Sequence, residues 1–387
     1  MLYFGVLQGD MLVKRKKVII CGYYGFANAG DEAMLMAVID ALSDIQPNLD
    51  ITVLSGNPRE TAKRHGVKAV HRFNMIAIIS VIFKADIVIS GGGSLLQDVT
   101  SKRSIFYYLG VIQLAQWLGK PVMLYGHGIG PIRGSLARKM TAYICKKVDL
   151  ITVRDKKSVQ TLTKLGIAEK NIILTADPVM AMHPVDKHSG RLILRGHGLE
   201  GSKPLFGISA REWQSLYGFK QVLADVADRL ISEYDGRVIF LPLQYPDDLA
   251  VSKEIAELMK EKKDVAIIEQ RCSINEFLSI VGNMELLLSI RLHALIFGAV
   301  MRVPVIGISY DPKIDGFLEG IKATSLGDLA EITLEKIMKK IEDVRKDPSY
   351  LERQNFSVES LRADALRNAF LAVSLLDGGK QKSNQYS

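Results

Sequence analysis

The chain of 387 residues has little cysteine and no long apolar run. Its three cysteines, Cys21, Cys145 and Cys272, lie within or beside apolar segments at spacings that match neither a zinc site nor a disulfide framework. No apolar stretch approaches the roughly 20 residues that a membrane-spanning helix requires. The apolar start at residues 1–7 is broken by a Gly-Asp pair and precedes its basic cluster, unlike a signal peptide. We therefore expect a soluble protein of the reducing cytoplasm.

Signatures of nucleotide, metal and nucleic-acid binding are missing as well. The glycine-rich turn after the first predicted strand has neither the G-x-G-x-x-G spacing of a dinucleotide site nor the G-x-x-x-x-G-K-[ST] of a phosphate loop, so NAD and ATP are not predicted. No cluster of His, Cys, Asp or Glu has metal-ligand spacing, and we expect no metal and no cofactor. The net charge of +8 comes without a helix-turn-helix or RNA-binding pattern, so no nucleic-acid partner is predicted. An anionic membrane surface or a pyrophosphate-linked substrate explains the positive charge equally well.

Short apolar runs alternate with amphipathic helical patterns from Val18 onward, which is typical of βαβ units and a parallel sheet. A break rich in His, Gly and Arg at residues 178–203 separates two series of candidate strands. Strands of the first series are expected at residues 18–21, 51–54, 87–90, 122–125, 150–153 and 172–174, and those of the second at 205–208, 238–241, 265–268, 286–290 and 305–308.

The sequence therefore predicts an α/β fold with two doubly wound Rossmann-like lobes, at residues 1–184 and 185–340. Helical sequence at residues 341–377 has apolar positions at three- and four-residue spacing, and the first lobe is its expected packing partner. The polar tail at residues 378–387 is expected to be disordered.

Polar residues follow several predicted strands of the first lobe, where open α/β sheets bind their ligands. Asn28, Asp31 and Glu32 stand at the mouth of a helix, where they could hold sugar hydroxyls, although helix capping explains such residues equally well. Three glycines at residues 91–93 allow the backbone to approach a ligand closely, and Asp98 follows them. His127 lies between two glycines at a strand end, which suits a ligand contact better than core packing.

The tripeptide Arg291-Leu292-His293 stands where an apolar run ends and a helical pattern begins. A helix start exposes unpaired backbone N–H groups, so an arginine fork and an imidazole placed there form an anion site. Alternatively, Arg291 pairs with a nearby carboxylate and His293 merely begins a helix. Arg211 follows another strand of the same predicted sheet, so both guanidinium groups are expected to face one cleft and to match a ligand that bears a phosphate and a carboxylate.

Taken together, these loops resemble those of the polysaccharide pyruvyl transferase family. The resemblance is carried, in the family's order, by residues 22–32, 91–98, 126–131, 154–155, 177–178, 207–211 and 291–293. It implies a two-lobed architecture like that of B-type glycosyltransferases, and transfer of the enolpyruvyl unit of phosphoenolpyruvate to a sugar as a cyclic ketal. Within the family, the chain looks closest to bacterial enzymes that pyruvylate N-acetylmannosamine in a secondary cell-wall polysaccharide, the mark read by S-layer homology domains.

The resemblance also implies roles for individual side chains. Phosphoenolpyruvate is a co-substrate, and the acceptor is a lipid-linked saccharide on the cytoplasmic face, with peripheral contact to the inner membrane surface as an open option. The expected proton donor is His293, the expected base is Asp31, the expected donor-binding residues are Arg154, Arg211, Arg291 and Leu292, and the expected acceptor-binding residues are Asn28, Glu32, Asp98 and His127.

Two other functions fit the same sequence features. A nucleotide-sugar-dependent B-type glycosyltransferase would share the two lobes and a pyrophosphate-binding second domain. A non-catalytic saccharide-binding assembly factor would share the polar loops, but it would have no reason to gather paired arginines with a histidine. The oligomeric state is left open.

Overall fold

The computed structural model describes residues 15–99, 101–213 and 218–378. The apolar start at residues 1–7 and the expected tail beyond residue 378 lie outside these ranges. Within them, the chain forms two parallel sheets, and helices pack on both. This arrangement confirms the predicted α/β class with two doubly wound lobes.

The first lobe contains a parallel sheet in the order β3-β2-β1-β4-β6-β7-β8, and β5 pairs with β6 beside this path. Its strands are β1 Lys17–Cys21, β2 Asp50–Ser55, β3 Lys68–His71, β4 Ile87–Ser90, β5 Gly93–Leu96, β6 Val122–Ile129, β7 Leu150–Val153 and β8 Ile172–Leu174. Its helices are α1 Ala29–Ile45, α2 Pro58–His65, α3 Met75–Phe83, α4 Ser104–Trp117, α5 Ser135–Cys145 and α6 Lys156–Lys164. Helices α3, α4 and α5 share one apolar core with the sheet, and α1 belongs to another.

The second lobe contains a parallel sheet in the order β11-β10-β9-β12-β13-β14. Its strands are β9 Leu205–Ser209, β10 Arg237–Phe240, β11 Val265–Ile267, β12 Leu286–Ser289, β13 Val305–Ser309 and β14 Thr324–Asp328. Its helices are α7 His188–Gly196, α8 Gly218–Tyr234, α9 Asp247–Leu258, α10 Ile274–Val281, α11 Leu292–Val300, α12 Pro312–Gly320 and α13 Leu334–Lys346. A last helix, α14, spans Tyr350–Leu376.

The predicted strands all occur, because continuous apolar runs such as that of β4 suit strands buried on both faces of a parallel sheet. Strands β3, β5 and β14 were not predicted. The expected loop at residues 126–131 is also partly strand, since β6 continues to Ile129. Glycine permits this extension at Gly126, where φ is +56° and a side chain would collide with Pro178.

The segment at residues 178–203 is structured rather than an open linker. It begins with a short 3₁₀ helix, Pro178–Ala181, and continues into α7. Helix α7 docks on α10, where the Gly190 N–H donates to Ser279 Oγ at 2.7 Å. The expected boundary after residue 340 falls inside α13, which packs on α8 of the second lobe.

Helix α14 connects the two lobes. Near its start, Tyr350 Oη donates to the backbone oxygen of Val305 in the second sheet at 2.9 Å. Near its end, the buried Asn368 Oδ1 accepts hydrogen bonds from Thr152 Oγ1 at 2.6 Å and from Thr175 Oγ1 at 3.0 Å in the first lobe. One continuous helix therefore fixes the lobes to each other on the side of α1.

Candidate active site

The two lobes meet directly at the first turns of α1 and α11. Ala29 N donates to Leu243 O at 3.0 Å across the junction. Gly30 lies against His293 so closely that a methyl group on this glycine would overlap the imidazole ring. The start of α1 in the first lobe and the start of α11 in the second therefore face each other at the carboxyl ends of both sheets.

Asp31 and His293 are titratable groups with strongly shifted pKa values at this junction. Burial, with a smaller contribution from the neighbouring Glu32, raises the pKa of Asp31 to about 7. Burial also lowers the pKa of His293 to about 4, and its Nε2 is buried without a hydrogen-bond partner among the described residues. The pKa of the carboxyl thus lies above that of the imidazole, which is the reverse of their usual order. Near neutral pH the imidazole is therefore uncharged, and the carboxyl of Asp31 keeps its proton far more readily than an exposed aspartate does.

Three cations act on both groups, namely Arg154, Lys313 and Arg291. Arg154 follows β7 of the first lobe, whereas Arg291 is the N-cap residue of α11 and Lys313 lies in the first turn of α12. Each of them acts to lower the pKa of Asp31 and of His293, because positive charge favours a carboxylate and disfavours an imidazolium. A positive field from both lobes thus converges on this pair.

Arg154 is held inside the first lobe. It forms an ion pair with Asp177, and its Nη2 donates to Ser94 Oγ at 3.1 Å. Both members of the ion pair are nearly buried. Its sequence neighbour Asp155 is not its partner and caps α6 instead. The guanidinium of Arg154 is therefore already engaged by a carboxylate and a hydroxyl of its own lobe, and direct binding of the donor by Arg154 stays a prediction.

Arg291 has the carboxylate partner that the alternative interpretation required. Its Nη2 pairs with the fully buried Asp248 and donates to Gln244 Oε1 at 3.3 Å. Asp248 also accepts the backbone N–H groups of Leu243 at 3.2 Å and Gln244 at 3.0 Å. Gln244 in turn forms an isolated antiparallel bridge with Asn28 of the first lobe. Arg291 thus organises the loop that reaches across the cleft, and it is not the free fork that was expected.

Arg211 has no ion-pair partner in the described part of the chain. Its Nη1 donates to Tyr310 Oη at 2.9 Å, and its guanidinium centre lies 5.7 Å from the ring centre of Trp213. Leu292, by contrast, is buried in the apolar core, so its side chain does not line the cleft as expected. Among the expected donor-binding residues, Arg211 is therefore the one whose charge is not balanced by a carboxylate.

Asn28 and Glu32 build the first turn of α1. Asn28 is its N-cap, and the side-chain oxygen accepts from Gly30 N at 3.0 Å. Glu32 is buried, accepts from Gly25 N at 2.8 Å and contacts His65 Nε2 at 3.2 Å. Burial acts to raise the pKa of Glu32, but the hydrogen bonds from His65 and Gly25 hold it below its ordinary value. Glu32 therefore has a structural role and no free carboxylate for an acceptor.

Asp98 and His127 are likewise engaged within the first lobe. Asp98 accepts the backbone N–H groups of Arg133 at 2.8 Å and Gly134 at 2.7 Å. His127 is fully buried in β6, and its Nε2 lies 3.0 Å from Ser90 Oγ on the neighbouring strand. Burial lowers the pKa of His127 to about 4. A side chain without exposed surface cannot contact a saccharide, so the expected role of His127 is not supported.

The sequence profile of polysaccharide pyruvyl transferases matches residues 28–312. The chain belongs to the polysaccharide pyruvyl transferase family. The matched span contains Asp31, His293 and the two arginines that act on them. Family membership supports a transferase with a pyruvyl transfer role in polysaccharide biosynthesis.

Individual relatives of this pyruvyl transferase family member are distant in sequence. It is similar to the amylovoran biosynthesis protein AmsJ of Erwinia amylovora, with 21% identity over 87% of this chain and 94% of that protein. A solved structure of a putative UDP-N-acetylglucosamine 2-epimerase from Listeria monocytogenes has 12% identity and a TM-score of 0.70 over 96% of this chain and 100% of that one. Anabaena Alr3699/HepE in complex with UDP-glucose has 9% identity and a TM-score of 0.62 over 94% of this chain and 99% of that one. The two structures show the shared two-lobed fold alone.

A cluster of one buried arginine and several aromatic rings was not anticipated. The guanidinium centre of Arg72, just after β3, lies 4.1 Å from the ring centre of Tyr107 and 5.3 Å from that of Phe26. Arg72 is buried, forms no ion pair with any described carboxylate, and its Nε lacks a hydrogen-bond partner. Phe26 stacks on Tyr23, and the charge of Asp31 acts on both Tyr23 and Tyr108. The cluster therefore borders the titratable pair, and the aromatic run at residues 106–108 was its available signal.

Proposed function

We propose that this protein transfers the pyruvyl unit of phosphoenolpyruvate to a lipid-linked saccharide that contains N-acetylmannosamine, forming a cyclic ketal and releasing phosphate. Membership of the family supports pyruvyl transfer, and the likeness to a protein named for amylovoran biosynthesis supports a polysaccharide precursor as the acceptor class. The observation that carries the proposal is the meeting of Asp31 and His293 from opposite lobes within a field of three shared cations.

Phosphoenolpyruvate needs fixed positive charge, because it bears a phosphate and a carboxylate. Each of the three shared cations is balanced by one carboxylate of the protein. The contact of Lys313 with Asp311 is long, at 3.4 Å, and partly exposed, so this lysine can turn toward a ligand. Arg211 has no ion-pair partner among the described residues, and it lies at the same carboxyl end of the second sheet as Lys313. We therefore assign the donor phosphate to the side of the cleft formed by Arg211 and Lys313.

The proton balance assigns roles to the titratable pair. Ketal formation adds one proton to the enol carbon and removes one from each of two sugar hydroxyls, and the remaining proton leaves with phosphate. Because the free protein holds a protonated carboxyl at Asp31 and a neutral imidazole at His293, we assign proton donation to Asp31 and hydroxyl deprotonation to His293. This assignment reverses the roles expected from the sequence. A bound anion raises the pKa of both groups and so preserves their order.

Pyruvyl transfer is tested by mixing the purified chain with phosphoenolpyruvate and a synthetic lipid-linked N-acetylmannosaminyl disaccharide. The expected product is heavier than the acceptor by pyruvic acid less one water, with one phosphate released per product. Stabilisation by a nucleoside diphosphate rather than by phosphoenolpyruvate in a thermal-shift measurement would instead favour the glycosyltransferase. Acceptor binding without phosphate release would favour the assembly factor.

The Arg72 cluster is assigned to the acceptor side. The exposed rings of Tyr23 and Phe26 can pack on a sugar ring, and the buried Arg72 supports the Phe26 ring from beneath. Arg72→Met is expected to raise the KM for the acceptor about tenfold with little change in the KM for phosphoenolpyruvate, because methionine removes the cation that holds the Phe26 ring in place. The fold should tolerate the change, since methionine replaces an unpaired buried charge with an apolar side chain of similar length.

The matched control for Arg72→Met is Arg64→Met, which replaces an exposed arginine on α2. It should change neither KM, and steady-state kinetics with each substrate varied in turn makes the comparison. A raised KM for phosphoenolpyruvate in Arg72→Met, with an unchanged KM for the acceptor, would place the cluster on the donor side instead.

A further inference from the structure

Helix α3 is apolar on every side, although it lies at the surface of the first lobe. Of its nine residues, Ser80 is the one polar residue. Ile78 and Ile82 are buried against the lobe, whereas Ile76 is 84% exposed and Phe83 is 65% exposed. A helix that is apolar all round normally has a second apolar partner. No helix in the described ranges is long and apolar enough to cross a membrane.

The apolar surface of α3 continues onto its neighbours. Phe73, just before α3, is 68% exposed, and Trp117, at the end of α4, is 78% exposed. Tyr143 on α5 is exposed as well. Helix α4 packs between α3 and α5, and Lys120 Nζ lies 5.7 Å from the ring centre of Phe83. We call the outer surface of these three helices and the residues that border them the α3–α5 face.

Basic side chains surround the α3–α5 face. Residues 72–148 contain ten lysines and arginines but two aspartates and no glutamate, an excess that equals the net charge of +8 of the whole chain. The two aspartates are occupied, since Asp86 accepts from Lys17 N and Asp98 from Gly134 N. Eight of the ten cations are exposed, namely Lys84, Lys102, Arg103, Arg133, Arg138, Lys139, Lys146 and Lys147.

We propose that the α3–α5 face binds an anionic lipid bilayer. Exposed isoleucine, phenylalanine and tryptophan side chains enter the interfacial layer, and the surrounding lysines and arginines pair with anionic headgroups. Tryptophan and tyrosine at the rim suit the headgroup region, where one end of a ring is apolar and the other is wet. A second copy of the chain would cover the apolar stripe equally well, but it would oppose one strongly basic surface with another.

The α3–α5 face ends at the cleft. The Phe73 ring centre lies 5.8 Å from that of Tyr107 and 5.2 Å from the guanidinium of Arg72. Arg72 is in turn close to the active site, since its charge and that of Asp31 both act on Tyr108. A lipid-linked acceptor can therefore keep its lipid in the bilayer while its saccharide reaches the active site. This last link rests on the proposed function, whereas binding to the bilayer does not.

Bilayer binding is tested by sedimentation of the full-length chain with vesicles of phosphatidylcholine alone or with roughly a third phosphatidylglycerol. The chain should sediment with the anionic vesicles and lose most of its binding in high salt. The triple variant Ile76→Gln, Phe83→Gln, Trp117→Gln should bind at least about tenfold more weakly, because three apolar side chains leave the interface. The quadruple variant Lys84→Gln, Lys102→Gln, Lys139→Gln, Lys146→Gln should lose affinity for anionic vesicles by roughly a thousandfold.

Matched controls carry equal changes elsewhere. The triple control Leu192→Gln, Phe356→Gln, Phe370→Gln replaces exposed apolar residues, and the quadruple control Lys260→Gln, Lys263→Gln, Lys322→Gln, Lys339→Gln replaces exposed lysines of the second lobe. Both controls should bind like the wild type. Equal loss in controls and test variants would overturn the assignment of the face. The proposal would also be overturned if the wild-type chain did not bind anionic vesicles, whether it forms a dimer or binds an acidic protein through α3. Because no step depends on catalysis, failure of the proposed reaction would leave this result unaffected.

Discussion

Replacing Asp31 with asparagine is expected to lower kcat by about a thousandfold, because the variant loses the group assigned to protonate the enol carbon. Asparagine has nearly the shape of aspartic acid, so the contact of α1 with α11 should persist, and phosphoenolpyruvate should still bind. In the wild type, kcat/KM should fall as the pH rises above about 7, where burial places the pKa of Asp31. The residual activity of the variant should lack this limb. Initial rates of phosphate release across the pH range make the comparison.

The same substitution should stabilise the fold at alkaline pH. The pKa of Asp31 is about 7 in the folded protein, above its ordinary 3.8, so the folded protein retains a proton that the unfolded chain has released. The stability that this proton provides is fully present below about pH 4 and is lost as the pH rises through about 7. Asparagine does not titrate. Relative to the wild type, the variant should therefore gain stability between about pH 4 and 7, and the gain in the free energy of unfolding should reach about 4 kcal/mol near pH 8.

A control on the same helix separates this effect from a general one. Asp44 is exposed near the end of α1, and Asp44→Asn should leave the activity and its dependence on pH unchanged. If kcat/KM of Asp31→Asn still falls as the pH rises above about 7, another group is the proton donor. If its stability relative to the wild type does not change with pH, the carboxyl is not buried in the way described.

Most strands could be predicted because a strand that is buried on both faces of a parallel sheet has a continuous apolar sequence. Two of the three missed strands lack such an apolar run: β3 has the sequence KAVH and is at most half-buried, and β14 has the sequence TSLGD with a single buried leucine. The third, β5, has the sequence GSLL and is mostly buried, but it begins with the last of the three glycines that suggested a loop. His127 was misread for a related reason. Its flanking glycines suggested a loop, whereas they allow β6 to continue beside Ser90, a partner 37 residues away in sequence.

The candidate site was predictable in position but not in charge state. The carboxyl ends of parallel strands place Asp31 at the ligand-binding edge of the first sheet and His293 at that of the second. Whether His293 gains or loses its proton depends on burial at a contact between lobes, and the sequence contains no measure of that burial. The partner of Arg291 was equally hidden, since Asp248 lies 43 residues earlier and reads there as an ordinary residue of the first turn of a helix.

Arg291→Met is expected to lower the free energy of unfolding by about 3–5 kcal/mol, because it leaves the fully buried Asp248 carboxylate without its cation. The second substitution Asp248→Asn removes that charge while keeping an oxygen for the backbone N–H groups of Leu243 and Gln244. The double variant should therefore recover at least about half of the loss. Urea unfolding of the wild type, both single variants and the double variant measures the coupling.

A surface pair provides the comparison. Arg353 and Asp347 form an ion pair that is much more exposed, and Arg353→Met should cost less than about 1 kcal/mol. Equal losses in Arg291→Met and Arg353→Met would show that the Asp248 carboxylate is not effectively buried, and the account of this loop would be wrong.

The stabilised double variant also decides what Arg291 does for the donor. In Arg291→Met alone, weak binding of phosphoenolpyruvate could arise from a disordered loop, because Gln244 and its bridge to Asn28 depend on the ion pair. In the double variant the loop is restored without the guanidinium. If the affinity for phosphoenolpyruvate returns with stability, Arg291 positions the cleft, as its pairing with Asp248 indicates. If the affinity stays low in a fully folded double variant, the guanidinium itself contacts the donor, and Arg211 and Lys313 are not sufficient to hold it.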